Sequence, residues 1–178
     1  ERVAGIECQV LTLEPRDALR YGYRLCVDRA TGLLLKAQTL GEGRDVVEQV
    51  AFTDIRIGER IERSRLKPAW PIEGWTIERT EYRRVDLEKA GWLVPTPEGF
   101  RRTKEVLRRM GSRDAMQVVF SDGLATISVF IEPAADGKVA GDAVQVMGPT
   151  AAYSRRLGDA LVTVVGEVPP EAVRTVSK

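Results

Sequence analysis

Hydrophobic and polar residues alternate along much of this chain, and short polar segments separate the alternating stretches. Because successive side chains of a strand point to opposite faces, this alternation predicts antiparallel β-sheet. In the first part of the chain it predicts four strands, at residues 7–14, 21–28, 33–40 and 46–57. Such a meander has one apolar face that needs a covering layer. No helix is predicted in this stretch, so we expect the covering layer to lie outside this chain.

The first predicted hairpin determines which residues share a face of the sheet. With its turn centred on Asp17, Leu11 lies opposite Tyr23. The same register places an apolar set on the predicted core side: Leu11, Leu13, Tyr21, Tyr23 and Leu25. A shift of one residue would scatter this set, so the register is a testable prediction.

The two cysteines of the chain, Cys8 and Cys26, lie opposite each other on the other face in this register. Directly opposed residues of antiparallel strands are about 4.5–5.5 Å apart at Cα, which a disulfide can bridge. One interpretation is an oxidised cross-strand disulfide, which would indicate a compartment outside the cytosol. The alternative is a pair of buried free thiols, and both interpretations remain open at this point.

The composition changes after residue 62, where prolines and arginines follow one another without periodicity. This predicts a linker at 63–76 between a first domain at 1–62 and a second at 77–178. In the second domain, Asp122-Gly123 is the pair that a type I′ hairpin turn favours. Pro169-Pro170 then begins a short helix, because proline suits the first helical turn. Strands are predicted at 100–110, 115–120, 125–131, 142–147, 151–157 and 160–165, and residues 75–82 form either a strand or part of the domain interface.

All three tryptophans, Trp70, Trp75 and Trp92, lie in or after the predicted linker. Aromatic side chains are frequent both in binding hot spots and in domain interfaces. Because these three lie close to the linker in the sequence, we predict that they pack between the domains.

The strand predicted at 100–110 is rich in basic residues. One interpretation is a patch that binds an acidic peptide or lipid phosphate groups. The alternative is a solvated strand face without a ligand. The residues predicted for partner or phosphate binding are Arg101, Arg102, Lys104, Arg108 and Arg109.

The chain contains no histidine, which removes the usual general base and the commonest metal ligand. Ser/His/Asp and Cys/His catalysis are therefore excluded within this chain, and the two cysteines cannot complete a zinc site alone. Carboxylate chemistry remains open, although the 26 acidic residues form no evident constellation. The net charge of +1 gives no general attraction to nucleic acid. We expect no enzyme activity, catalytic residue, metal, cofactor or nucleic-acid partner.

Several sequence segments resemble those of a known protein family. Tyr21-Gly22-Tyr23-Arg24-Leu25 looks like the end of the lipoprotein-carrier-like domain of the RseB/MucB family. The run Ser121–Phe130 and the segment Val165–Pro170 look like its C-terminal domain, and Ser121–Phe130 is the most specific motif. The chain departs from the family at Cys26, where a bulky residue is frequent, so a disulfide here would be particular to this protein.

The resemblance implies a mainly β fold. A partial lipoprotein-carrier-like antiparallel half-barrel sheet is followed by a smaller antiparallel β domain with a short C-terminal helix. It also implies a periplasmic protein that binds the periplasmic region of an RseA/MucA-like membrane anti-sigma factor. Binding would shield that region from the first protease of a cascade and so repress an envelope-stress sigma factor.

The resemblance further implies that lipopolysaccharide or another lipid releases the partner, and that most of the lipid-binding half-barrel lies outside this chain. A periplasmic lipid or lipoprotein carrier is the alternative function. A hydrolase with two converging carboxylates is a third. A truncated sheet exposes an edge, so a homo-oligomer could form by strand exchange between copies of the chain.

Overall fold

The computed structural model describes residues 1–71, 73–76, 82–111, 113–134 and 143–177 of the 178-residue chain. Two antiparallel sheets and one short C-terminal helix make up its regular structure. This confirms the predicted mainly β class with a half-barrel sheet followed by a second β unit. The predicted boundaries at residues 62 and 76 remain predictions.

The first sheet has five strands that follow one another in chain order. The predicted meander is confirmed, with a short additional strand at its start. The last strand ends well before residue 57, because Ile55 and Ile57 leave the sheet and pack over one of its faces. The strands are β1 (Arg2–Val3), β2 (Ile6–Leu13), β3 (Gly22–Asp28), β4 (Leu34–Leu40) and β5 (Val46–Ala51).

The register between β2 and β3 differs from the predicted one by two residues. Leu11 lies opposite Leu25 rather than Tyr23, which instead lies opposite Leu13. The connecting segment at residues 14–21 is too long for its centre to be inferred from one turn residue. A shift of two residues preserves the faces, so the predicted apolar set still lies on one side of the strands.

That apolar side is not the core of the first sheet, which corrects the prediction. Leu11 and Leu13 are 42% and 37% exposed, although Tyr21 at the end of the set is buried. The opposite face holds the core cluster, to which the start of the chain and the segment after β5 contribute apolar side chains. This cluster consists of Val3, Cys8, Cys26 and Leu35, with Ala4, Ile6, Ile55 and Ile57 packed against it.

A disulfide joins Cys8 and Cys26 within that cluster, and their Cα atoms are 5.5 Å apart. The two residues are not directly opposed as predicted, since Cys26 lies opposite Val10 and Cys8 lies opposite Asp28. The bond therefore crosses the two strands diagonally. Both cysteines are almost fully buried, so the disulfide is part of the small core of the first sheet.

The second sheet has seven strands, and their order across the sheet differs from their order along the chain. Of the strand predicted at 75–82, residues 75 and 76 are not in a strand, residues 77–81 lie outside the described part of the chain, and Tyr82 begins a strand. The start predicted at residue 142 likewise lies outside the described part. The elements are β6 (Tyr82–Arg84), β7 (Arg101–Met110), β8 (Arg113–Ser121), β9 (Thr126–Pro133), β10 (Gln145–Met147), β11 (Thr150–Leu157), β12 (Ala160–Gly166) and α1 (Pro170–Val176). Across the sheet the strands follow the order β10-β11-β12-β9-β8-β7-β6.

The core of the second domain lies between this sheet and α1. Alternate residues of β8, β9 and β12 are fully buried, among them Phe120, Val129 and Val164. The helix presents Ala172 and Val173 to the same core, and proline at its first turn fits the predicted start. This packed layer against one sheet face is the arrangement that the first sheet lacks on its Leu11 side.

The loop between β8 and β9 is not the predicted type I′ turn. Ser121 pairs with Thr126, so four residues form the connection. The Asp122 carboxylate accepts hydrogen bonds from the backbone N–H groups of Leu124, at 2.9 Å, and Ala125, at 2.8 Å. Asp122 shapes the loop through its side chain, and only Gly123 takes a positive φ of 104°.

Candidate interdomain site

Arg20 lies at the end of the β2–β3 connection and reaches the second domain. Its Nε donates a hydrogen bond to Asp122 Oδ2 at 2.5 Å, and its Nη2 donates one to the carbonyl oxygen of Glu98 at 3.1 Å. The guanidinium lies over the ring of Phe100, 4.4 Å from the centroid. It also forms an ion pair with Asp17 of its own loop. One side chain thus binds an anion, a carbonyl and an aromatic face at once.

The residues that receive Arg20 are held by the second domain. Phe100 is buried in the core, and Asp122 is fixed by the two backbone hydrogen bonds of its loop. Gly99 has a φ of 74°, and a Cβ atom at this position would collide with the Arg20 guanidinium. The close approach therefore requires glycine. We call Glu98, Gly99, Phe100 and Asp122 the arginine socket.

The Arg20–Asp122 pair is largely shielded from solvent, with side chains that are 17% and 15% exposed. Burial raises the pKa of the Asp122 carboxyl, but the hydrogen bonds from Leu124 and Ala125, with those from Arg20 and its charge, outweigh burial. The pKa of Asp122 therefore lies below its ordinary value. Burial raises the pKa of Tyr23, and the negative charge of Asp122 raises it further. Asp122 thus remains ionised in the interface.

A cleft of 580 Å³ lies beside the arginine socket. The β2–β3 connection, the loop after β4 and Pro169 form its walls. Glu14 and Arg44 form an exposed ion pair at its edge, with an N–O distance of 2.7 Å. Of its lining residues only Pro169 belongs to the second domain, so the cleft lies mainly on the first domain, next to Arg20.

The structure divides the five predicted basic residues between internal contacts and solvent. Arg102 donates a hydrogen bond to the Val94 carbonyl oxygen at 2.6 Å and pairs with Glu105, so it supports the second domain. Lys104 lies over the ring of Tyr82 at 4.1 Å. Arg108 donates to Gln117 Oε1 at 3.3 Å, whereas Arg101 and Arg109 are exposed. The strand register places Arg102 and Arg109 on one face and the other three on the opposite face.

The predicted packing of the tryptophans between the domains is wrong for two of them. Trp70 and Trp75 are 63% and 66% exposed, because the proline-rich segment runs over the surface. Trp92 packs against the core of the second domain itself. Arg20 and Leu19, which packs against the same core, make the interdomain contact instead. No pattern in the sequence singles out Arg20, since its partners are distant along the chain.

Within the described residues, no group of three or more histidine, cysteine, aspartate or glutamate side chains could hold a metal ion. No helix in the same part of the chain is long and apolar enough to cross a membrane.

Two antiparallel sheets joined through a polar contact define a two-domain β-sheet protein. Residues 1–70 match the family model of the MucB/RseB N-terminal domain, and residues 86–178 match that of the MucB/RseB C-terminal domain. The chain therefore belongs to the MucB/RseB family.

Two curated relatives illustrate the similarity. The sigma factor AlgU regulatory protein MucB of Pseudomonas aeruginosa is 37% identical over 94% of this chain and 54% of its own length. The sigma-E factor regulatory protein RseB of Salmonella typhimurium is 26% identical over 99% of this chain and 55% of its own. The chain thus spans about half the length of the curated relatives it matches.

Solved structures show the same similarity. A crystal structure of MucB in complex with MucA(peri) matches with a TM-score of 0.78 and 36% identity, covering 99% of this chain and 62% of that one. A crystal structure of MucB matches with a TM-score of 0.65 and 31% identity, covering 99% and 58%. Both relationships extend over the two domains of this chain.

Proposed function

We propose that this chain belongs to a periplasmic regulator that binds the periplasmic region of a MucA/RseA-like anti-sigma factor. Bound in this way, it shields that region from the first protease of a signalling cascade, and the envelope-stress sigma factor stays repressed. The observation that supports this most is the match to MucB in complex with MucA(peri), with a TM-score of 0.78 over 99% of this chain. The protein acts by binding rather than by catalysis.

Repression by occlusion requires only that the partner segment is held where a protease cannot reach it. Release then requires a ligand with a higher affinity for the free protein than for the complex, because only differential binding shifts the populations. We propose lipopolysaccharide or another lipid as this ligand.

Periplasmic location is supported by the Cys8–Cys26 disulfide, since such bonds persist in oxidising compartments. Contacts to the partner are proposed for the exposed cations Arg101 and Lys104, which share one face of β7, and for Arg109 on its other face. Arg102 and Arg108 have internal partners and contribute less. A homo-oligomer remains a prediction, and within the described residues β5 is an edge strand that pairs with β4 alone.

Titration with the purified periplasmic region of a MucA/RseA-like anti-sigma factor tests the proposal. We expect saturable binding to the full chain and slower cleavage of that region by a protease. Replacement of Arg101 and Arg109 by glutamate should weaken binding most at low salt, because exposed charges act over a Debye length. Arg60→Glu is the matched control, since Arg60 is also exposed but lies in the first domain. No binding, or binding without protection, would refute the function.

A lipid- or lipoprotein-binding module is the second candidate, and the exposed apolar side of the first sheet favours it. Leu11, Leu34 and Val50 are exposed there, and a groove of 150 Å³ runs beside Val50 and Phe52. Exposed apolar patches of this kind commonly mark interaction sites. Fluorescent fatty-acid binding that Val50→Asp abolishes, with anti-sigma binding unaffected, would favour this function.

A further inference from the structure

We infer that Arg20 is an interdomain positioning residue: by occupying the arginine socket, it sets the angle between the two sheets on which affinity for the partner depends. The second half of this inference rests on the proposed function. The first half concerns this chain alone and can be tested without any partner.

The Arg20 guanidinium makes more contacts than an ion pair at the surface needs. Asp17 of its own loop orients the guanidinium, while Asp122, the Glu98 carbonyl and the Phe100 ring hold it from the second domain. Only a planar group with several donors and a stacking face can make all these contacts. A lysine could retain the charge but not the geometry.

Arg20 concentrates the polar contacts described between the two sheets. No strand of the first sheet makes extensive contact with a strand of the second within the described residues. Leu19 adds an apolar contact beside Arg20 by packing against the core of the second domain. Small polar interfaces between domains permit relative motion by default. The orientation therefore depends strongly on this one side chain.

The arginine socket is firmly connected to the second sheet, so the position of Arg20 in the socket fixes its position relative to that sheet. Asp122 lies in the loop that joins the central strands β8 and β9, and Phe100 directly precedes β7. Both are tied to the packed core, so they cannot move independently of it. A change at the socket must therefore appear as a rotation of one domain against the other.

The test uses the full chain and three variants: Arg20→Gln, Asp122→Asn and the double variant. Asparagine at position 122 retains an oxygen that can accept the hydrogen bonds from Leu124 and Ala125, so the loop stays closed. Arg44→Gln is the control, because it removes another arginine pair at the same cleft that is exposed to solvent. Circular dichroism establishes that every variant is folded.

Small-angle X-ray scattering without partner measures the domain arrangement. We expect Arg20→Gln and Asp122→Asn to increase the radius of gyration to the same extent. The radius of gyration of the double variant should not exceed that of either single variant, because substitutions of two residues in contact do not have additive effects. Arg44→Gln should match the wild type. Radii equal to that of the wild type in both single variants would overturn the inference.

Titration with the anti-sigma periplasmic region measures the consequence. We expect the dissociation constant to rise about tenfold in both single variants and no further in the double one. Arg20→Lys should rescue neither measurement, since it restores charge alone. Larger radii with unchanged affinity would overturn the link to binding. If the wild-type chain does not bind the anti-sigma region, the proposed function and the link to binding are both refuted. The scattering measurement would still test the role of Arg20 in the domain arrangement.

Discussion

The two sheets of this molecule bury their apolar side chains in different ways. The second sheet covers one face with a helix and buries a continuous apolar core, whereas the first has only a small core cluster closed by a disulfide. On the other face of the first sheet, Leu11 and Leu13 are exposed, although they alternate with polar residues as the residues of a core strand do. The contrast shows that alternation determines which residues share a face, but the packing of distant segments determines whether that face is buried.

The largest expected effect is in the second core. Phe120→Ala should lower the free energy of unfolding by about 3–5 kcal/mol, because Phe120 is fully buried and its removal leaves a cavity. Leu13→Ala on the exposed side of the first sheet is the control and should cost less than ~1 kcal/mol. Urea denaturation followed by circular dichroism measures both. Equal effects would mean that the two sheets are covered alike.

Loss of the disulfide should destabilise the first sheet and leave the second intact. Replacing Cys8 and Cys26 together by alanine should cost about 2–4 kcal/mol, since the bond closes a loop with a sequence separation of 18. Amide hydrogen exchange should accelerate in β2–β4 but not in β8 and β9. Wild-type protein reduced with dithiothreitol should behave in the same way. Uniform acceleration in both sheets would show that they unfold as one unit.

The basic strand offers a smaller test within the second sheet. Arg102→Gln should cost about 1–3 kcal/mol, because it removes the hydrogen bond to Val94 and the pair with Glu105. Arg101→Gln should stay within about 0.5 kcal/mol, as is usual for an exposed residue. Thermal unfolding of the two variants distinguishes them. Equal melting temperatures would place both arginines in the same solvated environment.

The smallest effect is the dependence on pH at the contact between the sheets. The pKa of Asp122 is below its ordinary value, so its ionised form stabilises the native state. This stabilisation is complete above the pKa of an unfolded aspartate and is lost as the pH falls through the lower pKa of the folded state. Arg20 and Tyr23 are the ionisable groups beside Asp122, and Glu167 in turn acts on Tyr23. The melting temperature of Asp122→Asn should fall less than that of the wild type in this acidic range, and parallel curves would contradict the contact.

Much of the fold could be predicted because strands and hairpins are local. The segments around Asp122-Gly123 pair as the alternation indicates, and the helix begins at the expected prolines. The turn type could not be predicted, because Asp122 bonds the backbone with its carboxylate instead of adopting a positive φ. The β2–β3 register failed for a similar reason, since a long connection has no single centre.

The candidate site could not be predicted because its contacts are long-range. Arg20 is separated from Glu98 by 78 positions and from Asp122 by 102. Nothing in the local pattern distinguishes it from the other arginines of the chain. The tryptophans were the more conspicuous candidates, but two of them are exposed, because a residue near a linker need not lie in the interface that the linker spans.

The closed loop between β8 and β9 has a consequence for the order in which the protein assembles. The Asp122 carboxylate can meet Arg20 in the observed geometry only after the backbone of its own loop has fixed it, which requires β8 and β9 to be paired. We therefore expect the β8–β9 hairpin to form before the first sheet docks onto the second domain. During synthesis, which begins at the amino terminus, the first sheet would therefore remain undocked until β8 and β9 have paired.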